Sequence, residues 1–474
     1  MDARPILAAL LLATACTVGP DYKRPELALP EGWRELSANE QQTLANTPWW
    51  ELFQDPELVK LIQIALAENK DLKIAVERIE EARARYGFTR AEKFPRVDGF
   101  ASAGKSQSSA SGVNPIPPGT DRTSSLYGVG VSAFWELDFF GRIRRATESE
   151  LAQLYATEQS RRAVVLALVA DVARSYIDLR DFDRRLEISR RTLESRVAYV
   201  QLARDLFEGG KTSELDLHQA EAELARTTSL VHEFEGLVRQ KENELSLLLG
   251  RNPGEIGRGR GLDELSLPPA TPAGLPSELL DRRPDLREAE ELLAASNARI
   301  GVAKALLYPS IALTGSFGWE STELGGVFDT QSQAWSLSAN LLQPIFNAGQ
   351  NRRRVEVTES QQRQALYAYE RSVLQAFREV EDALVGSRQT SLRRGSERER
   401  VLAERKVLEL AELRYRGGVS AYLDVLDAQR SLFEAELDET SAMRDEFVSR
   451  IDLYKALGGG WPQEPEPKQE GAPK

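Results

Sequence analysis

The chain has 474 residues, 41% hydrophobic and 28% charged, the composition of a folded protein rather than a disordered one. Its formal net charge of −12 disfavours nucleic-acid binding, which normally needs a basic face, and suits solubility or a lumen that attracts cations. It contains no run of about eighteen apolar residues, so no transmembrane helix is predicted.

At the N-terminus, MDARPILAALLLATAC carries Arg4, an apolar stretch from Ile6 to Leu12, then small residues. That is the pattern of a secretory signal peptide over residues 1–15, too short to span a bilayer. Cys16 is the sole cysteine and cannot staple its own fold. Following Ala13-Thr14-Ala15, it resembles a lipoprotein cleavage site, which implies a lipid on Cys16. Thr17 stands where an Asp would resemble inner-membrane retention, so outer-membrane sorting is implied. Residues 16–56 then read as a lipidated, extended N-terminal segment.

Residues 57–281 and 282–458 are two copies of one plan. NKDLKIAVERIEEARARYGFTRAEKFP (69–95) matches RRPDLREAEELLAASNARIGVAKALLYP (282–309). Asp71, Leu72, Arg85, Ala91 and Pro95 recur 214 residues later as Asp285, Leu286, Arg299, Ala305 and Pro309. Further along the offset is 208: Gly141 recurs at Gly349, Gly209-Gly210 at Gly417-Gly418, Leu215-Asp216 at Leu423-Asp424, and Gly250 at Gly458. Each copy reads helix, strand, strand, very long helix, helix.

In the first copy two strands are expected within 95–139. In LYGVGVSAFWELD, Tyr127, Val129, Val131, Ala133, Trp135 and Leu137 alternate with Gly128, Gly130, Ser132, Phe134, Glu136 and Asp138; VDGFASAG (97–104) is weaker. From Arg145 to Phe207 there is neither proline nor glycine. Leu151, Leu154, Tyr155, Val165, Leu168, Val169, Val172, Tyr176 and Ile177 fall at helical spacings there. At about 1.5 Å per residue, such a helix of about 62 residues reaches roughly 90 Å. The bend at Gly209-Gly210 and a return helix of about forty residues follow.

The second copy places strands within 309–346. In SIALTGSFGW, Ile311, Leu313, Phe317 and Trp319 form one face; in QAWSLSANLL, Trp335, Leu337, Ala339 and Leu341 do the same. A long helix from Arg352 to Tyr415, with Gly386 inside, reaches the bend at Gly417-Gly418. Residues 459–474, rich in proline and charge, read as a disordered tail. Helices of this length need neighbours along their whole length, as in coiled coils.

The strands have the length of tilted strands that cross a bilayer. The polar linkers 105–125 and 320–332 resemble the outer loops of membrane barrels. Four strands cannot close, and an open sheet edge in lipid leaves backbone groups unpaired at several kcal/mol each. Two chains would give a narrow eight-stranded barrel filled by side chains, and three a twelve-stranded barrel with a wider bore. The inward positions are mostly Gly, Ala, Ser, Thr and Asn, which leaves room for a lumen and favours the trimer.

An enzyme is not expected. His218 and His232 lie about 21 Å apart along one helix and cannot share a metal. No cysteine pair, P-loop or dinucleotide fingerprint occurs, so no catalytic residue, metal or cofactor is assigned beyond the lipid on Cys16.

Several motifs together resemble the TolC-like outer-membrane efflux proteins, in their lipoprotein branch of the OprM/NodT type. They are Cys16-Thr17-Val18-Gly19-Pro20-Asp21-Tyr22-Lys23-Arg24-Pro25; Trp49-Trp50 with Phe53 and Asp55-Pro56; Arg283-Pro284-Asp285; Ala305 with Pro309; and Tyr422-Leu423-Asp424-Val425-Leu426-Asp427-Ala428-Gln429-Arg430. The resemblance runs over nearly the whole mature chain. It implies a homotrimer with a β-barrel completed between chains and a long α-helical barrel in the periplasm. The function it implies is the exit duct of a tripartite efflux pump, partnered by a periplasmic adaptor and an inner-membrane transporter. It puts the glycine bends at the periplasmic tips and makes Asp424 and Asp427 the gate. Its latch would be Tyr415 hydrogen-bonding Asp216; Ser420 stands where several relatives place an arginine, and either Arg416 substitutes for it or the seal rests on other contacts. The alternative is a periplasmic coiled-coil structural or adaptor lipoprotein, which would share the helices but not the strands.

Overall fold

A computed structural model describes residues 17–27, 29–30, 32–34, 54–109, 119, 121–268 and 276–459. The leader, Cys16, Trp49-Trp50 with Phe53, part of the 105–125 linker and the tail beyond Gly459 lie outside the described residues. Among the described residues the chain forms, in order, α1 (Pro56–Glu68), α2 (Lys70–Ala91), β1 (Arg96–Gln107), β2 (Thr123–Leu137), α3 (Arg142–Glu208) and α4 (Glu214–Leu248). After these come α5 (Pro276–Arg282), α6 (Pro284–Ala305), β3 (Ser310–Ser321), β4 (Gln333–Leu342), α7 (Gln350–Arg416) and α8 (Tyr422–Ala456). Two single 3₁₀ turns, Leu324–Gly326 and Thr330–Ser332, connect β3 to β4.

The chain divides into two compact units, each drawing on both repeats. One holds the described residues up to Glu26, Arg78–Glu158 and Glu288–Glu370. Its centre is an antiparallel sheet in the order β1-β2-β3-β4, each strand paired with the next in sequence. The register puts Phe100 opposite Gly130, Gly130 opposite Gly318, and Gly318 opposite Ala334. One residue further along, Ala101, Val129, Trp319 and Gln333 line up on the other face. Alternation therefore sorts the sheet into an apolar face, with Trp135, Phe317, Trp319, Trp335 and Leu337, and a face mostly of Gly, Ala, Ser, Thr and Asn. β1 and β4 are the edges.

The N-terminal segment straps onto this unit. Gly19 passes Gly301 so closely that a Cβ on Gly19 would sit 2.5 Å from the Gly301 Cα. The buried Arg145 side chain donates to the Val18 carbonyl at 3.3 Å and to Asp21 at 2.6 Å. Two glycines in register, rather than any side-chain match, are what let the strap lie flat.

The second unit holds Leu27–Glu77, Gln159–Arg287 and the described residues from Arg371 on. Leu58, Leu61 and Ile62 of α1 pack with Val165, Leu168, Val169, Val172, Tyr176 and Ile177 of α3, Leu245 of α4, and Phe447 and Ile451 of α8. From Val165 to Ile177 the helical stripe read from the sequence is this core face. Leu151, Leu154 and Tyr155, counted in it, fall in the other unit, and Tyr155 is 38% exposed. α7 runs unbroken through Gly386 and also through Gly395, at roughly 1 kcal/mol each relative to alanine.

Asp55 caps α1 through the Glu57 amide at 2.8 Å and accepts from the Tyr176 hydroxyl at 2.8 Å. Arg283 holds the end of α8 by donating to the Ala456 carbonyl at 2.9 Å, while Asp285 and Glu379 balance its charge.

Candidate functional site

The bends after α3 and α7 have the same geometry. The Lys211 amide donates to the Leu206 carbonyl at 2.8 Å and the Gly210 amide to Phe207 at 2.9 Å. At the other bend Val419 bonds Arg414 at 2.9 Å and Gly418 bonds Tyr415 at 2.9 Å. Both are Schellman closures, which need a left-handed residue just past the helix. Gly210 has φ +67 and Gly418 φ +68, while Gly209 and Gly417 continue each helix into the turn. The glycine pair thus ends the helix and supplies the one conformation that other residues adopt at a cost.

The return helices begin differently. In α4, Ser213 is the N-cap, and a capping box joins its hydroxyl to the Asp216 amide and the Asp216 carboxylate to the Ser213 amide. Thr212 adds a 2.5 Å hydrogen bond to the same carboxylate. The Thr212 and Ser213 bonds hold Asp216 below the usual carboxylate range. In α8 the N-cap is Ala421, which offers no side-chain bond. Asp424, the repeat counterpart of Asp216, is therefore exposed and outside any cap. Asp427 is also exposed and lies 3.7 Å from Arg430. That arginine is held mainly by the buried Glu223 of α4, at 2.5 Å.

The latch residues do not meet within one chain. No hydrogen bond joins Tyr415 to Asp216 among the described residues. Arg416 pairs instead with Glu412 at 3.3 Å, one turn back on its own helix. Ser420 has its hydroxyl buried without a hydrogen-bond partner.

What joins the two hairpins is a set of side chains of which sequence reasoning missed three, Tyr199, Arg196 and Glu412. Tyr199 of α3 donates to Glu412 of α7 at 3.1 Å. Burial, and then the Glu412 charge, push the Tyr199 hydroxyl up to about 12. Tyr422 packs between Tyr199 and Tyr415, with ring centroids at 6.1 and 5.7 Å. Burial raises the Tyr422 hydroxyl as well. Arg196 bonds Gln429 across the hairpins, and burial pulls its guanidinium down despite Glu223 nearby. A signal existed: aligned at an offset of 208, Tyr199 faces Val407 and Tyr422 faces Glu214, so these positions are where the repeats part company. A cavity of about 200 Å³ lined by Tyr199, Leu202, Glu412, Tyr415 and Val425 lies beside them.

A single chain with such helical hairpins and a two-faced sheet with open edges defines a class: membrane channels whose barrel is shared between copies. Residues 61–251 and 275–459 match the outer membrane efflux protein family. The chain is 37% identical over 460 residues to the solvent efflux pump outer membrane protein SrpC of Pseudomonas putida, covering 96% of this chain and 97% of that one. It is 36% identical over 466 residues to the cation efflux system protein CusC of Escherichia coli, covering 97% and 98%. Among solved structures, the outer-membrane channel OprN matches with a TM-score of 0.87 at 32% identity, over 94% of this chain and 100% of that one. The chain belongs to the outer membrane efflux protein family. It is a TolC-like outer-membrane channel component of a tripartite efflux pump, with a fold of long helical hairpins and a β-sheet that is one chain's share of a barrel.

Proposed function

We propose that three copies assemble around a common axis, each giving four strands to a twelve-stranded barrel, and that the inner hairpins form the gate. The observation that carries this is the sheet: an apolar face the length of a bilayer crossing, with edges at β1 and β4 that lipid cannot satisfy. Six carboxylates, Asp424 and Asp427 from each copy, would then surround one narrow passage. Like charges at short range repel and attract cations, so the closed tip needs other links. The Tyr415 hydroxyl is available for the Asp216 of a neighbouring copy, and Arg416 can exchange Glu412 for a partner across the seam. Cys16, acylated, would anchor the chain to the outer membrane. The periplasmic adaptor and inner-membrane transporter complete the pump. Cargo selection belongs to the transporter, since relatives of nearly equal identity are named for solvents and for cations.

Single-channel recording of the full-length protein in planar bilayers tests the reading. Discrete steps with cation preference are expected. Asp424→Ala with Asp427→Ala should raise conductance and weaken that preference; unchanged conductance and selectivity would falsify the gate. Tyr415→Phe should raise the entry of large antibiotics into cells, and wild-type susceptibility would rule out the latch. Mass spectrometry of the mature protein should find an acyl mass at Cys16.

A further inference from the structure

The bore-facing side of the sheet is not uniformly polar. One row across all four strands reads Phe100, Gly130, Gly318, Ala334. A single phenyl ring therefore stands beside three positions with almost no side chain. A Cβ on Gly130 would meet the tip of that ring at 3.0 Å, and one on Gly128 would meet it at 4.0 Å. The ring lies along the glycines of β2 and still leaves Phe100 42% exposed. Four residues along, in the row Arg96, Phe134, Thr314, Ser338, a second ring on the same face is 49% exposed. The row between them is Asp98, Ser132, Ser316, Ser336. At about 3.3 Å per residue the two aromatic levels are roughly 13 Å apart along the strand. On a face otherwise mostly of small and polar residues, with the Arg96–Asp98 ion pair between the two levels, these exposed rings have no part in facing lipid, because the apolar face opposite does that.

We propose that Phe100 and Phe134 form an apolar contact track in the channel bore, which binds the aromatic or aliphatic face of amphiphilic cations in transit. The inference rests on the barrel reading above. The glycine shelf is the site's shape: Gly130, Gly318 and Ala334 leave a trough beside Phe100 in which a flat apolar group lies against the ring. The hydroxyls of Ser132, Ser316 and Ser336 take its polar side, and the acidic chain favours positive charge. Ring faces attract cations, and aromatic groups meet them in offset or edge-on contact. The bland reading is that Phe100 merely covers glycines, as aromatic residues do in strands. It accounts for Phe100 but not for Phe134, whose partners are Arg96 and Thr314.

The test uses the full-length protein in planar bilayers, with tetraphenylphosphonium and tetramethylammonium as probes. Tetraphenylphosphonium is expected to reduce the ion current at concentrations where tetramethylammonium, of equal charge but without rings, does not. Phe100→Ser and Phe134→Ser should each raise the half-blocking concentration about three- to tenfold, the size of one lost ring contact. If both variants conduct and are blocked as the wild type is, the track does not exist. If Phe100→Ser fails to assemble because its glycines are uncovered, Phe134→Ser decides alone. A wild-type protein that forms no channel at all would instead overturn the barrel reading, so the two failures are distinguishable.

Discussion

Asp216 and Asp424 occupy the same place in the two repeats, and the two residues before each return helix, Thr212-Ser213 against Ser420-Ala421, separate their fates. Ser213 at the first N-cap ties Asp216 into a capping box; Ala421 at the second leaves Asp424 outside one. The first acid is local structure, and the second is exposed, as the proposed gate requires. Ser213→Ala should cost about 1 kcal/mol locally, an approximately fivefold faster amide exchange at 214–217, while Ala421→Ser should slow exchange at the start of α8. Because hydrogen bonds depress the folded Asp216 pKa, its contribution is present above the unfolded carboxylate value of about 3.9. It is lost as pH falls through the folded value. Protection at 214–217 should therefore decline below about pH 4 in the wild type and change less with pH in Asp216→Asn. The acid pair and glycine bends were legible in the sequence as spacing. Tyr199 and Glu412 were not, because they meet across 213 residues and no local pattern encodes that.

Four helices end in the same Schellman closure, at Gly210, Gly250, Gly418 and Gly458, yet the glycines do unequal service. Around Gly210 and Gly418 there is open space, so only the positive φ demands glycine. Around Gly250 there is none: a Cβ would sit 2.3 Å from the Glu68 carbonyl oxygen, where α1 ends. Gly210→Ala should cost about 1–2 kcal/mol, the price of a left-handed alanine. Gly250→Ala adds a backbone clash and should cost clearly more. Denaturant unfolding of the detergent-solubilised variants, read by circular dichroism, would rank them; an equal cost would contradict the Glu68 contact. Long elements were readable because period and punctuation are local properties. Tyr155 was misjudged for the opposite reason, since spacing gives the face of a helix but not what covers it.

For the whole molecule, the deciding property is the two-faced sheet, whose apolar side the proposed barrel would turn to lipid and whose other side it would turn to a bore. Leu337 and Ser338 are neighbours in β4, on opposite faces, with Leu337 opposite Gly315 and Ser338 opposite Thr314. An arginine at a lipid-facing position near the bilayer centre costs roughly 2–4 kcal/mol, whereas bore-facing changes tune selectivity instead. Leu337→Arg should therefore cut the amount of assembled oligomer recovered from membranes. Ser338→Arg should assemble normally and, with one new positive charge from every copy, shift the reversal potential away from cation preference. Both are measurable on the same preparations, by oligomer gels and by bilayer recording in a salt gradient. The pair is sensitive to register as well as to face, because a slip of one residue in β4 would exchange the two outcomes. Equal behaviour of the two variants would mean that neither face meets lipid, and the helices alone could not then account for a channel.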